Sequence, residues 1–373
     1  MRVALVHDYL QDYGDLERSL TVLHRLYPAA PIYTAFVDWS RLRRVAPQML
    51  DWDLRPTIAQ RLPGICQKAH FYRRWAPYFW ESLDLGAYDL VISLGASYLS
   101  HGVLTRASTL HVAYCYTPAR DLWAPIAAQA TAPIWQVPTA ARLRQYDGVA
   151  AQRVDRFVAA SEPAARRIRK FYRRSPEVIY PPVPVAGEGK AGNEYYLYVG
   201  ALEREHRVDQ AITACQRLNR PLWIAGTGSE LPHLQRLATP SVRFLGAVAP
   251  DRVAELYRGA IALIYPTADE DFAFAPVEAM GYGVPVIACA QSGLRDVVLD
   301  YRTGLLFPES SVERLCAAIA QFEQLRFSAN ACIQRAEEFA ESVFISKFEW
   351  FIAKALDDHQ SHGAIVEPLS GDS

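Results

Sequence analysis

Residues 262–288, ALIYPTADEDFAFAPVEAMGYGVPVIA, decide the fold class predicted here. The segment opens with a short apolar run that ends before Pro266, and it closes with a second apolar run at residues 284–288. Between them a polar loop leads into a predicted helix starting at Pro276, because proline is well tolerated at the start of a helix. A strand, a loop, a helix and another strand in this order are typical of a parallel sheet covered by helices.

The same alternation runs along most of the chain, and its apolar runs are nearly continuous, as expected for strands buried on both faces. The predicted strands are residues 3–6, 90–93, 112–115, 157–160 and 178–180, then 195–199, 222–225, 244–245, 262–265 and 284–288. A Pro- and Gly-containing stretch without periodicity, residues 180–194, separates the two sets. We therefore predict an α/β protein with two doubly wound, Rossmann-like domains facing a cleft. Their predicted bounds are 1–186 and 193–341, followed by an amphipathic helix at 342–360 and a tail at 361–373.

Overall composition restricts the classes of function. A length of 373 residues favours two domains, and a net charge of −1 predicts no nucleic-acid partner. The N-terminus looks like a strand rather than a signal peptide, and no stretch reaches about 18 apolar residues, so we expect a soluble cytoplasmic protein. The six cysteines form no CxxC pair and no cluster with histidine, which predicts buried free thiols and no metal site.

Candidate binding residues lie in loops that follow predicted strands, where ligands of doubly wound sheets bind. Gly14 precedes a helix and could let backbone N–H groups approach an anion, although a plain turn before a helix is the favoured alternative. Tyr116 could face the cleft, but a core aromatic with a bonded hydroxyl is the favoured alternative. Arg204, His206 and Arg207 precede another helix and could clamp a phosphate, or they could form a solvated loop.

Two glutamates stand eight positions apart in the mostly apolar opening stretch. We predict that Glu278 lies in the first turn of the helix, where the helix dipole favours its charge. A carboxylate can also accept from both hydroxyls of a vicinal diol. Glu270 would lie in the loop and could hold a second set of hydroxyls. Two acids for hydroxyls, with N–H groups for a diphosphate between them, would suit a nucleotide sugar.

The pattern EDFxxxPVEAMxxGxPVIA, which begins at Glu270, resembles that of family 4 glycosyltransferases with the GT-B fold. The segments VALVHDYL, YCYTP, SEPAARRIRKFY and IAGTGSELPHL are similar too, so the resemblance covers nearly the whole chain. The chain looks most like the branch that builds bacterial surface polysaccharides, often as mannosyl- or related hexosyltransferases. The closing helix resembles the one that crosses back onto the N-terminal domain in this fold.

The resemblance implies a role for each matching residue. Glu278 would bind the ribose hydroxyls, and Glu270 would contact the donor sugar as a catalytic residue. Backbone N–H groups of Ala273, Phe274 and Ala275 would meet the sugar and the diphosphate. The other implied donor-binding residues are Gly14, Asp15, Gly200, Arg204, His206, Arg207 and Gly246. Members of the family retain the anomeric configuration and need no metal or cofactor, and their acceptors are glycans or lipid-linked molecules.

The sequence departs from the family at positions around the implied diphosphate. Asp15 replaces the second glycine of the first loop, Ala201 replaces an arginine and His206 replaces a lysine. Tyr116, the second catalytic candidate, stands where the branch has histidine, and Ala273 replaces a glycine. Losing one charged contact to a leaving group can cost about 2–4 kcal/mol.

These departures leave two hypotheses for the function. The chain could be an active glycosyltransferase in which a protonated His206, or Arg204 or Arg207, supplies the missing charge. It could instead be a relative without turnover that binds a nucleotide, a glycan or a partner enzyme.

Residues 66–83, CQKAHFYRRWAPYFWESL, are here called the aromatic–basic segment. Mixed aromatic and basic side chains suit an anionic membrane interface or a lipid-linked acceptor, although ordinary core with a basic rim is an equal alternative. Residues 164–174 form a second basic helix. We therefore expect a cytoplasmic protein with possible peripheral contact at the inner face of a membrane.

Overall fold

The computed structural model describes residues 1–123, 137–186, 189, 192, 194–291 and 293–363. The chain divides into two compact units: unit 1 comprises Met1–Tyr180 with Phe344–Ser373, and unit 2 comprises Pro181–Val343. Unit 1 thus ends at Tyr180, earlier than the predicted bound at residue 186. The predicted linker, residues 180–194, is described only in part.

The sheet of unit 1 is entirely parallel, with the strand order β3-β2-β1-β4-β5-β6-β7. Its strands are β1 (Val3–His7), β2 (Ile32–Thr34), β3 (Leu54–Pro56), β4 (Leu90–Gly95), β5 (Leu110–Cys115), β6 (Arg156–Ala159) and β7 (Glu177–Val178). Strands β2 and β3 do not appear among the predicted ones, since three residues are too few to show a pattern. The five predicted strands are present, although β7 covers only part of residues 178–180.

Helices cover this sheet and supply its core. They are α1 (Asp15–Leu26), α2 (Trp39–Val45), α3 (Ala69–Tyr72), α4 (Ala76–Glu81), α5 (Arg120–Trp123), α6 (Val137–Arg153) and α7 (Glu162–Phe171). The C-terminal helix, Glu341–Gly363, belongs to unit 1 from Phe344 onward, and its Phe344 and Phe348 pack in one buried cluster with Leu20 and Leu23 of α1. Residues 361–363 are therefore helical rather than tail, and residues 364–373 lie outside the described residues.

Unit 2 repeats the same plan with a parallel sheet in the order β10-β9-β8-β11-β12-β13. Its strands are β8 (Tyr195–Val199), β9 (Leu222–Ala225), β10 (Val242–Gly246), β11 (Ala260–Tyr265), β12 (Val286–Cys289) and β13 (Gly304–Phe307). Its helices are α8 (Val208–Arg217), α9 (Leu231–Leu237), α10 (Pro250–Gly259), α11 (Phe274–Gly281), α12 (Val312–Phe322) and α13 (Ala329–Glu337). The C-terminal helix described above, Glu341–Gly363, is labelled α14. In both units the strand order reverses beside the first strand, which confirms two doubly wound, Rossmann-like folds.

The buried carboxylate of Asp8 holds the loop that follows β4 in unit 1. Its Oδ2 accepts from the backbone N–H groups of Ala96, Ser97 and Tyr98 at 2.8–2.9 Å, and its Oδ1 accepts from that of Ser100 at 3.2 Å. Burial alone would raise the pKa of Asp8, but the N–H bonds outweigh burial and lower it. The loop therefore forms an anion nest that the chain's own carboxylate fills.

The six cysteines are free, as predicted; four of them are buried, and Cys66 and Cys316 are half-buried. Across the described ranges no helix is both long enough and apolar enough to cross a membrane.

Candidate functional site

The loops after β8, β9 and β10 lie side by side at the carboxyl edge of the unit 2 sheet. The N–H of Gly200 donates to the carbonyl of Ala225 at 3.1 Å, and the N–H of Gly226 donates to that of Gly246 at 2.8 Å. Gly226 has a φ of +151°, and a Cβ there would overlap the carbonyl oxygen of Gly200. Glycine at position 226 thus allows two backbones to meet, which the GTG sequence alone did not reveal.

Within unit 2, two predicted site residues, the basic His206 and the acidic Glu270, face each other. The Nε2 atom of His206 lies 4.0 Å from Oε2 of Glu270, and their side chains are 19% and 23% exposed. The Nδ1 atom of His206 donates to the carbonyl of Ala201 at 2.9 Å, which assigns a proton to Nδ1 because a carbonyl only accepts. The hydroxyl of Thr267 donates to the carbonyl of His206 at 3.3 Å. The loops after β8 and β11 are therefore joined at this pair.

Ala201 takes part in this network through its backbone. Its carbonyl also accepts from the hydroxyl of Tyr198 at 2.9 Å. Burial, followed by the charge of Glu270, raises the pKa of Tyr198 well above its usual range, so the phenol stays protonated and remains a donor. The side chain of Ala201 is exposed.

Arg204 and Arg207 are directed elsewhere in the same unit. Both line a cavity of about 310 Å³ with the side chains of Asp209 and Glu230, and the described lining includes neither His206 nor Glu270. Arg207 has a left-handed φ of +53° and precedes α8, and its Nε lies 3.4 Å from Oδ1 of Asp209. The three basic residues of this loop thus fall into two groups.

The helix that carries Glu278 begins earlier than predicted. Ala273 is the extended N-cap residue of α11, and Phe274 and Ala275 are its first two residues. Proline fits at position 276 because N–H groups of the first turn have no partner within the helix. The backbone N–H groups that the sequence suggested for donor binding, those of Ala273, Phe274 and Ala275, therefore lie at the start of α11. Glu278 consequently lies in the second turn of α11, which corrects the prediction of the first turn.

Glu278 has a buried partner that the sequence did not indicate. The hydroxyl of Tyr257, in α10, donates to Oε2 of Glu278 at 3.1 Å. Tyr257 is 1% exposed, whereas Glu278 is half-buried. The two residues are separated by 21 positions and lie on different helices, so no local pattern could have paired them.

In unit 1, Gly14 and Asp15 form the start of α1. Gly14 is the N-cap residue, and its N–H donates to Oε2 of Glu17 at 2.8 Å. Asp15 is the first residue of the helix, and its Oδ1 lies 3.8 Å from Nη1 of Arg18. The helix dipole and Arg18 both favour a carboxylate here, which explains locally why an acid is tolerated in place of glycine.

Tyr116, also in unit 1, has its hydroxyl engaged. The oxygen lies 2.6 Å from Oγ of Ser19 and donates to the carbonyl of Asp15 at 3.1 Å. Burial raises the pKa of Tyr116 well above its usual value. The half-buried ring packs against the core of unit 1, and its hydroxyl ties the end of β5 to the start of α1.

No metal cluster appears among the described residues: they contain no group of three or more His, Cys, Asp or Glu side chains arranged to hold an ion.

Sequence comparison finds known proteins that are similar to part of this chain. Residues 186–339 match the family described as "Glycosyl transferases group 1". A D-inositol 3-phosphate glycosyltransferase of Mycobacteroides abscessus is 29% identical over 185 residues, covering 46% of this chain and 42% of that protein. A GDP-mannose-dependent alpha-mannosyltransferase of Mycobacterium tuberculosis is 34% identical over 137 residues, covering 36% of each. The matches thus span less than half the length of these relatives.

Solved structures share the fold over nearly the whole chain. The lipopolysaccharide outer core galactosyltransferase WaaB in its apo form aligns with a TM-score of 0.67 and 16% identity, covering 95% of this chain and 99% of that one. Anabaena HepE in complex with UDP aligns with a TM-score of 0.70 and 15% identity, covering 95% and 100%. The fold is therefore GT-B, as predicted. The match to the family description and the similarity to the two relatives together support a glycosyltransferase family.

Proposed function

We propose that the protein is a retaining family 4 glycosyltransferase that transfers a hexose from a nucleotide-diphosphate sugar to a glycan or lipid-linked acceptor. The observation that carries this proposal is the segment after β11: Glu270 in the loop, the first turn of α11 next, and Glu278 one turn further. Acids that can accept from hydroxyls, placed on both sides of the N–H groups of a helix start, suit a sugar, a diphosphate and a ribose in that order.

Each part of this segment has a chemical task in the proposed reaction. The carboxylate of Glu278 accepts from the ribose hydroxyls, and the N–H groups at the start of α11 bind the diphosphate, favoured by the helix dipole. Glu270 accepts from hydroxyls of the donor sugar and holds its anomeric carbon in place. His206 lies close enough to Glu270 to share that ligand.

The transfer itself is a displacement on one face of the sugar. The bond from the anomeric carbon to the phosphate oxygen breaks, and a bond to the acceptor oxygen forms on the same face. The acceptor's proton passes to the departing phosphate oxygen, and a nucleoside diphosphate leaves. No metal or cofactor takes part, so the rate depends on positioning and on stabilising the diphosphate.

The finer identity of the substrates follows from resemblance. Mannose is a candidate sugar, since one relative carries the name of a GDP-mannose-dependent mannosyltransferase. Synthesis of bacterial surface polysaccharide is the proposed setting, because the sequence looks most like that branch.

The test is to incubate the protein with UDP-glucose, UDP-galactose, GDP-mannose and ADP-glucose and to measure binding and hydrolysis of each. At least one donor should bind. Glu278→Gln should weaken its binding about tenfold or more, because charge-assisted bonds to hydroxyls are lost. Glu270→Gln should lower the hydrolysis rate about 10²-fold.

Glu313→Gln is the matched control, since this exposed acid on α12 pairs with Arg217 at the surface of unit 2. It should leave binding and hydrolysis unchanged, as surface pairs contribute little. The absence of binding to any donor would overturn the proposal. Binding without turnover would favour the non-catalytic relative.

The aromatic–basic segment supports peripheral membrane contact in the proposed setting. Phe71, Trp75 and Tyr78 are 47%, 38% and 69% exposed, and the guanidinium of Arg74 lies over the rings of Phe71 and Trp75. Lys68 is exposed beside them. The alternative of ordinary core fits only part of the segment, such as Phe79 and Trp80, which are 3% and 0% exposed.

We predict salt-sensitive binding to vesicles that contain phosphatidylglycerol. The variant Phe71→Ala/Trp75→Ala/Tyr78→Ala should reduce co-sedimentation about tenfold, because three exposed rings can no longer insert into the lipid. Trp350→Ala is the control, as this 57% exposed aromatic of unit 1 lies outside the segment. Equal binding by wild type and the triple variant would contradict the prediction.

A further inference from the structure

Tyr257 is held in place by ring stacking as well as by its hydrogen bond to Glu278. Its ring stacks on that of Tyr282 with centroids 5.5 Å apart and an interplanar angle of 21°. The guanidinium of Arg258 lies 5.2 Å from the centroid of the same Tyr282 ring. Tyr282 directly follows α11 and is its C-cap residue. Tyr257 therefore contacts α11 both at its end and, through Glu278, in its middle.

The hydroxyl of Tyr257 sets the orientation of the Glu278 carboxylate. The last torsion of a glutamate side chain is broad, so an unsupported carboxylate samples many orientations. A donor held 3.1 Å from Oε2 selects one of them. Because the donor lies on a buried ring, its own position varies little.

A fixed orientation matters for binding a diol. Two neighbouring hydroxyls donate well to one carboxylate only when its oxygens point at both, and side chains held in place by supporting contacts lose less entropy on binding. The phenol donates to a carboxylate oxygen, which is a stronger acceptor than a neutral one, so the bond holds the side chain in place.

We propose that Tyr257 is a positioning residue for nucleotide binding: it holds Glu278 in the orientation that selects a ribose over a 2′-deoxyribose. The inference rests on the proposed function, in which Glu278 binds the ribose hydroxyls. Tyr257 itself touches no ligand. Removing the Tyr257 hydroxyl should therefore change recognition of the ribose and not recognition of the base or the phosphates.

The experiment compares Tyr257→Phe with wild type by calorimetric titration. The probes are UDP, GDP and ADP and the 2′-deoxy form of each one that binds. Wild type should prefer the ribonucleotide. Tyr257→Phe should weaken ribonucleotide binding about five- to tenfold and change deoxynucleotide binding less than about twofold, so the preference falls. In a Glu278→Gln background, Tyr257→Phe should not change the preference further.

Tyr195→Phe is the matched control. Tyr195 is 3% exposed, and its hydroxyl donates to the carbonyl of Leu256 in α10 at 3.0 Å. This variant removes a similarly buried hydroxyl that lies on β8 and bonds to the same helix, α10, without touching Glu278. Its preference for the ribonucleotide should equal that of wild type.

The possible failures are distinguishable. If wild type binds no nucleoside diphosphate, the proposed function and this inference fall together. If wild type binds but Tyr257→Phe keeps the full preference, only the inference is overturned. Equal weakening of both nucleotide forms would show a purely structural role and would also overturn it.

Discussion

His206 and Glu270 face each other in unit 2, where the proposed function places the donor. A lysine at position 206 would carry a permanent positive charge, whereas an imidazole carries one only when protonated. Here the Nδ1 proton is held by the carbonyl of Ala201, and Nε2 faces the Glu270 carboxylate. His206, the residue that could neutralise a phosphate, thus already contacts the Glu270 carboxylate and the Ala201 carbonyl.

We predict that Ala201→Arg with His206→Lys raises affinity for UDP or GDP about tenfold, because two permanent cations are added where the proposed function places the diphosphate. The exposed side chain at position 201 leaves room for arginine. The measurement is calorimetric titration of each nucleotide. The control, Ala320→Arg with Gln324→Lys, adds cations at exposed positions elsewhere in unit 2. An equal gain in the control, or no gain in the site variant, would refute the prediction.

Among elements, the close approach of the loops after β8 and β9 depends on glycine, because a Cβ at Gly226 or Gly228 would overlap the backbone of the loop after β8. Gly226→Ala should lower the free energy of unfolding by about 2–3 kcal/mol, because its Cβ would overlap the Gly200 carbonyl and its φ of +151° disfavours a side chain. Urea unfolding followed by circular dichroism measures the change.

The comparison variant is Gly148→Ala. Gly148 lies within α6, and a Cβ there meets nothing within 4 Å. This variant should gain about 0.5–1 kcal/mol from the better helix propensity of alanine. Similar stability of the two variants would argue against the backbone overlap at Gly226.

For the molecule as a whole, buried ionisable groups make stability depend on pH. Burial lowers the pKa of His111 to about 3 from 6.5, with a further contribution from His101. Its Nε2 lies 2.9 Å from Oγ of Ser93. Because the folded state binds fewer protons than the unfolded state between these two values, this stabilisation is complete above pH 6.5 and declines as the pH falls.

We predict that the free energy of unfolding falls by about 2 kcal/mol from pH 7.5 to pH 5.0 through His111, since each pKa unit is worth about 1.36 kcal/mol. His111→Gln can still bond to Ser93 but does not titrate, so it should lose that part of the pH dependence. Urea unfolding at several pH values tests this. The prediction fails if wild type and variant show the same pH dependence.

The sequence predicted strands best where apolar runs were long and clearly bounded. Strands β8 and β9 have the predicted bounds, because aromatic and branched residues end at a glycine in each case. The three-residue strands β2 and β3 did not appear among the predictions, since so few residues carry no periodicity and pairing with neighbours stabilises them. Strand β13 was not predicted either, although it has the same length as β9.

The sequence by itself determined the fold class and the two candidate acids, because alternating apolar runs and the spacing of Glu270 and Glu278 are local properties of the chain. Only the tertiary structure decided the partners of those acids, His206 for Glu270 and Tyr257 for Glu278. It likewise showed that Asp8 fills the nest after β4. Such pairings join residues distant in sequence, and they arise because packed helices and parallel strands bring distant loops to one edge, which no local pattern encodes.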